Sequence, residues 1–260
     1  MRFKINLALK PHSKRLLPFN YQYELSSWIY GIIKQADETY SYFLHEKGYQ
    51  TERKSFKFFC FSNFYIPKFA LKQDSIELLC SHISFQISFY LDKASETFVM
   101  GLFRNQRGSI GNKFHQIDFE VHSIESKPLL YHHYGEELYL KTISPLVISR
   151  KNLKNHDDYL PPTHAEFKDL FLNNLIDKYK ATEQDIPLSW QDYPFELEVY
   201  EPIRSKLVHI KQNTEKETRV KGYLFNFRLK APKELLEIGL LAGFGRENAQ
   251  GFGACEIVEK

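Results

Sequence analysis

Hydrophobic periodicity along this chain runs strand, helix, strand, strand, helix, strand, and the second half repeats that order in a degraded form. With 260 residues there is room for two compact units of about 130 residues each. The chain therefore predicts an α+β protein made of two tandem ferredoxin-like (RRM-like) βαββαβ domains. No sequence repeat accompanies the second copy, so element order carries this expectation.

Residues 2–9 alternate Phe3, Ile5, Leu7 and Leu9 with polar partners, the period of a half-buried strand. From about Glu24 the apolar positions Leu25, Trp28, Ile29, Ile32 and Ile33 fall on one helical stripe. Asp37 and Thr39 are N-cap residue types in the middle of this region and Gly48 is a natural stop. A break near 36–38 would make two short helices. Apolar strand-like runs follow at 56–64 and 75–91, then a helical pattern over about 92–104. A connection with Gly108 and Gly111 leads to the alternation Phe114, Ile117, Phe119 and Val121, which closes the first unit near 124.

The second unit opens with a strand at about 137–148 and, past a polar loop and Pro161-Pro162, a helix near 164–181. Strands are expected around 194–201, 204–212 and 218–230, then a helix at about 232–241, a glycine-rich loop and a strand at 253–259. Ser126-Lys127-Pro128 and the polar aromatic stretch Tyr131–Tyr134 interrupt the periodicity. The join is placed there, giving domains over 1–126 and 133–260.

The formal net charge of +3 is too small to indicate a nucleic-acid partner by itself. Its distribution says more: between Arg204 and Lys230 stand eight Lys or Arg, among them Lys206 and Lys221, against Glu215 and Glu217. On strands, these cations share a small sheet area. The 22 Phe and 16 Tyr make an aromatic-heavy core, with some rings to spare for stacking on bases. Cys60, Cys80 and Cys255 have no CxxC spacing and read as thiols of a reducing cytoplasm. The amino terminus alternates like a strand and not like a signal peptide, and no apolar run has the length of a membrane span.

Three segments carry candidate chemistry. The loop Gly243–Gly253 holds four of the twelve glycines, with Arg246 as its cation. Such density suits either tight packing or a cradle of amides for an anion. It leaves a helix and has no Gly-Lys-Ser/Thr ending, so it is not a nucleotide P-loop. Next, Tyr30, His45, Arg53, Lys54 and Lys57 surround the expected helix break. On one unbroken helix, Tyr30 and His45 would stand about 22 Å apart; a turn near 36–38 would fold them together. Histidine titrates near neutrality and suits proton transfer at a phosphodiester. Third, Lys221-Gly-Tyr-Leu-Phe225-Asn-Phe227 partly follows an RNA-recognition strand, although alternating core aromatics explain it equally well. His132-His133 and His156-Asp157-Asp158 lack further ligands at metal-binding spacing, and no metal or cofactor is expected.

Taken in order, these segments resemble a known family. Leu17-Pro-Phe-Asn20-Tyr, Leu25-Ser-Ser-Trp-Ile-Tyr30 and Phe43-Leu-His45-Glu-Lys-Gly48 are similar to the N-terminal signature of CRISPR-associated repeat-processing endoribonucleases of the RAMP superfamily. Lys57-Phe-Phe-Cys-Phe-Ser62, Thr142-Ile-Ser144-Pro145, Tyr159-Leu-Pro, the Asn174 to Tyr179 segment and Ala242–Gly253 continue the resemblance over essentially the whole chain. It implies metal-independent cutting of precursor crRNA within CRISPR repeats by attack of a 2′-OH, leaving a 2′,3′-cyclic phosphate and a 5′-OH. It implies His45 as general acid or base, Tyr30 at the 2′-OH and Lys57 as the catalytic cation, with Lys54 or Arg53 as substitutes for it. RNA contacts are expected from Arg53, Lys54, Lys206, Lys221, Gly243, Gly245, Arg246, Asn248, Gly251 and Gly253. The alternative is a non-catalytic RNA-binding subunit of a CRISPR effector complex; that complex and a homodimer stay open as partners.

Overall fold

A computed structural model describes residues 1–52, 54–129, 136–190, 193–212 and 214–259. Strand β1 (Arg2–Leu9) leads to helices α1 (Gln22–Ala36) and α2 (Glu38–Glu46), then to β2 (Phe59–Phe61) and β3 (His82–Phe89). Helix α3 (Asp92–Arg104), β4 (Arg107–Gly111) and β5 (Gln116–Ser126) complete the first half. The antiparallel sheet has the order β2-β3-β1-β5-β4. Without β4, a hairpin strand added outside β5, this is the ferredoxin-like arrangement.

The second half has β6 (Glu137–Thr142), α4 (Phe167–Lys180), β7 (Glu196–Ile210), β8 (Thr218–Lys230), α5 (Lys233–Ala242) and β9 (Cys255–Ile257). Its sheet order, β7-β8-β6-β9, repeats the first without the extra strand. The expected pair of strands around 194–201 and 204–212 is one long strand. Its register shifts between Tyr200 and Arg204, where Pro202 has no N–H to give the ladder. The expected run 75–91 is also two strands. Ser75–Leu78 belongs to a small sheet with Leu16–Pro18 and Phe69–Leu71, and β3 starts only at His82.

Each half has its own core. Ile5, Leu7, Ile29, Phe85, Phe98 and Phe119 belong to the first; Leu140, Phe171, Leu175, Phe227 and Leu236 belong to the second. The halves exchange side chains at their contact. Phe58 turns into the second core, while Ala249 packs into the first. Arg2 is buried between them and donates to Ser88 Oγ, Leu240 O and Cys255 O at 2.8–2.9 Å. Cys60 and Cys255 are buried free thiols nearby, and Cys80 is half-buried. No helix among the described residues is long and apolar enough to cross a membrane.

Candidate active site and nucleic-acid interface

The break between α1 and α2 builds the first site. Asp37 leaves the helical conformation at φ −148° and ψ 99°, and its carboxylate accepts from the Tyr40 amide at 2.8 Å, an N-cap for α2. The chain turns back, and the Tyr30 and His45 rings meet edge to face with centroids 5.7 Å apart. At the far end of α2, Gly48 takes φ +65° and its amide returns to Phe43 O at 2.7 Å. A side chain there would strike Phe56 O and the Lys57 chain. Lys57 instead lies across the glycine and donates to the His45 carbonyl at 3.0 Å. His45 thus has the Tyr30 ring against its own ring and the Lys57 ammonium at its main-chain carbonyl.

Their environments differ. The His45 side chain is 70% exposed; its Nδ1 meets Glu46 Oε1 at 2.8 Å, and Nε2 has no hydrogen bond among the described residues. Tyr30 lies against Phe59 with ring centroids 5.6 Å apart, and burial pushes its hydroxyl well above the ordinary phenol range. It holds its proton and suits donating or positioning, not acting as a base. Burial also lowers the Lys57 ammonium below its usual value, against the opposing pull of Glu46. Lys54 points elsewhere: its Nζ pairs with Asp177 Oδ2 of α4 at 2.5 Å. Arg53 lies outside the described residues, as do His132 and His133. A groove of about 530 Å³ opens beside Tyr30 and His45.

The glycine-rich loop has a different character from an amide cradle. Gly243, Gly245, Gly251 and Gly253 are buried, and a Cβ at Gly245 would fall 2.3 Å from Val147 O, one at Gly253 1.9 Å from Phe244 O. Amides of Phe244, Arg246, Gln250, Gly251 and Gly253 are spent on protein carbonyls. Asn248 braces the loop through the carbonyls of Phe244 and Phe252, each at 3.1 Å. From below, the buried Lys178 ammonium, pushed down to about 7 by burial, donates to Gly243 O and Gly245 O at 2.5 and 2.8 Å. Arg246 is tied to Asp157 at 2.8 Å and to Ser149. Burial works against ionisation of Asp157, but hydrogen bonds from Lys151 and Arg246 hold its carboxyl below the usual range. The His156-Asp157-Asp158 segment is thereby part of a brace for the loop.

The basic segment is narrower than its sequence suggests. Arg228 is bracketed by Glu137, Glu196 and Glu198 at 2.8–3.0 Å, and Lys230 pairs with Glu196 at 3.4 Å. Those carboxylates come from β6 and the start of β7, outside the Arg204–Lys230 segment. What remains is the outer half of the β7–β8 hairpin, with Arg204, Lys206, Lys211, Lys216 and Lys221, and Arg219 paired with Glu217 at 3.6 Å. Lys206 stands opposite Gly222, and Lys221 opposite Leu207, so the two lysines leave opposite faces. Lys206 is half-buried over the Tyr21 ring, 5.8 Å from its centroid, and burial lowers its ammonium to about 8. The aromatics of the Lys221–Phe227 strand, Tyr223, Phe225 and Phe227, are buried and not free for bases. Sequence reasoning missed Lys178 as a support and Gly31 as part of the groove. A glycine in mid-helix was the one available signal for the latter.

Comparison with known proteins agrees with this architecture. Residues 16–127 match the family described as CRISPR-associated protein Cas6, N-terminal, and residues 125–257 match CRISPR associated protein Cas6, C-terminal. The CRISPR-associated endoribonuclease Cas6 1 of Methanocaldococcus jannaschii is 30% identical over 98% of this chain and 93% of its own length. The CRISPR-associated endoribonuclease Cas6 of Pyrococcus furiosus is 27% identical over 99% of this chain and 90% of its own. A solved structure titled CRISPR associated protein Cas6 superposes with a TM-score of 0.75 at 29% identity, covering 100% of this chain and 99% of that one. The two halves, their order along the chain and these full-length matches agree: the chain belongs to the Cas6 family of CRISPR-associated proteins.

Proposed function

We propose that this protein is a metal-independent endoribonuclease that binds CRISPR repeat RNA and cuts the precursor crRNA within each repeat. The observation that carries the reading is the meeting of Tyr30 and His45 across the α1–α2 break, with Lys57 held at the His45 carbonyl. In the proposed reaction the 2′-OH loses its proton and attacks the adjacent phosphorus. The bond from phosphorus to O5′ breaks and O5′ takes up a proton, leaving a 2′,3′-cyclic phosphate and a 5′-OH. His45 Nε2, unoccupied by protein among the described residues, serves one of the two proton transfers. Tyr30 keeps its proton and positions the 2′-OH. The Lys57 ammonium faces the charge that builds on the phosphoryl oxygens, and Lys54, held by Asp177, is the weaker candidate for that task. RNA backbone contacts are assigned to the exposed cations of the β7–β8 hairpin. The endoribonuclease names of the relatives from M. jannaschii and P. furiosus support the activity.

The test is cleavage of the repeat RNA in EDTA by the wild type and by His45→Ala. The wild type is expected to cut without added metal and to leave a cyclic phosphate; the variant is expected to bind the RNA and lose at least about 10²-fold in rate. A magnesium requirement or full activity of His45→Ala would sink the mechanism. Tight binding with no product from the wild type would favour a non-catalytic RNA-binding subunit.

A further inference from the structure

We propose that the groove beside Tyr30 and His45 is a subsite for one unstacked nucleobase flanking the scissile phosphate, with Tyr42 as its stacking platform and Gly31 as the residue that keeps it open. The inference rests on the reading of Tyr30 and His45 as catalytic groups. The groove measures about 530 Å³, has a mostly apolar wall and runs from those two residues past Gly31 and Lys34 to Thr39 and Tyr42. A cavity of this size accommodates a small ring system. Tyr42 and His45 are three residues apart on α2, so they present to the same face.

Tyr42 is 67% exposed, and among the described residues its ring stacks on no other ring and its hydroxyl has no partner. The chain leaves a large aromatic in water at the edge of the proposed site. Gly31 is the second observation. Glycine is an unfavourable residue in a helix interior, and it is retained where another backbone or side chain approaches closely. Gly101 of α3 meets that condition, since a Cβ there would fall 2.1 Å from Ile32 O. Gly31, one residue earlier in α1, does not: a Cβ there would meet nothing within 4 Å. Packing does not ask for glycine at this point, and a side chain would project into the groove. Lys34 and Glu38, paired at 3.0 Å, also line the groove.

Sequence-specific proteins read single-stranded RNA by splaying bases onto aromatic side chains, and a base seated here would fix the phosphate beside it against His45. The subsite would therefore set which bond of the repeat is cut.

An abasic scan across the repeat, made as 2′-fluoro RNA that lacks the nucleophile, tests the proposal by affinity. In the wild type, one abasic position next to the cleavage point is expected to weaken binding by about ten- to a hundred-fold. In Tyr42→Ala that same RNA should bind no more weakly than the intact repeat, and Tyr42→Trp should restore the penalty. Gly31→Leu should lose the penalty as Tyr42→Ala does, without lowering the thermal midpoint. An abasic penalty of equal size in wild type and Tyr42→Ala at every position, or wild-type behaviour of Gly31→Leu, overturns the proposal. Cleavage with no such coupling sinks the subsite and leaves the endoribonuclease reading; coupling in a protein that never cuts does the reverse.

Discussion

At the scale of single residues, the proposed catalytic cation gives up its charge more readily than an ordinary lysine. Lys57 lies against Gly48 and donates to the His45 carbonyl, and burial holds its ammonium below the usual lysine range. Raising the pH through that lowered value strips the charge before an ordinary lysine would lose it. The cleavage rate should consequently fall on the alkaline side at a pH below that of free lysine, about 10.4. Lys57→Arg, which keeps its charge, should move that limb to higher pH. Lys57→Ala should slow cutting by about 10²- to 10³-fold below that limb, the usual loss for one group facing a developing oxyanion, and the deficit should shrink above it. Rate against pH for bound RNA checks both; a limb that stays in place in Lys57→Arg would assign the charge to another residue. That Lys57 would reach His45 was not readable from spacing, because the contact depends on the positive φ of Gly48. The meeting of Tyr30 and His45 was readable, since Asp37 and Thr39 are cap residue types in the middle of an otherwise continuous helical stripe, and Asp37 is the cap the structure uses.

At the scale of elements, the glycine-rich loop separates what composition can show from what packing decides. Its glycine density is visible in the sequence and suits either tight packing or an anion cradle, and the family resemblance favours RNA contact. The partners that choose between them come from remote positions: Val147 O, Phe61 and the buried Lys178 ammonium. Gly253 has φ +73°, and a Cβ on it would sit 1.9 Å from Phe244 O, a backbone atom that cannot swing aside. Gly253→Ala should cost about 2–4 kcal/mol from left-handed strain plus overpacking, read as a lower urea midpoint. The folded fraction should bind RNA with nearly wild-type affinity. Weakened binding at unchanged stability would return the loop to the role of a cradle. Charge along β8 carries the same lesson. Arg228 and Lys230 counted as free cations in the sequence, and their neutralising glutamates became visible only when β6 and β7 were laid beside them.

At the scale of the whole molecule, two similar sheets carry different groups: the first half brings Tyr30 beside His45, and the second extends a hairpin whose outer lysines meet no carboxylate among the described residues. Element order made the doubled fold legible. It did not show that the halves interlock through Arg2, Phe58 and Ala249, because those contacts join residues far apart in sequence. If the hairpin grips the RNA backbone, the salt dependence of binding belongs to the second half and the chemistry to the first. Each cation that neutralises a phosphate on single-stranded RNA contributes about 0.7 to the slope of log affinity against log salt. Lys221→Gln should therefore flatten the slope by about 0.7, and His45→Ala should leave it unchanged. Lys206 adds a pH signature, since burial over Tyr21 lowers its ammonium to about 8. It is charged at pH 6.5 and largely neutral at pH 9, so the wild-type slope should flatten by up to about 0.7 between those values. Lys206→Gln should show the flattened slope already at pH 6.5 and lose most of the change with pH. Binding titrations at several salt concentrations and two pH values measure all three effects. A slope that follows His45 and ignores both hairpin lysines would place the RNA grip in the first half beside the cutting groups.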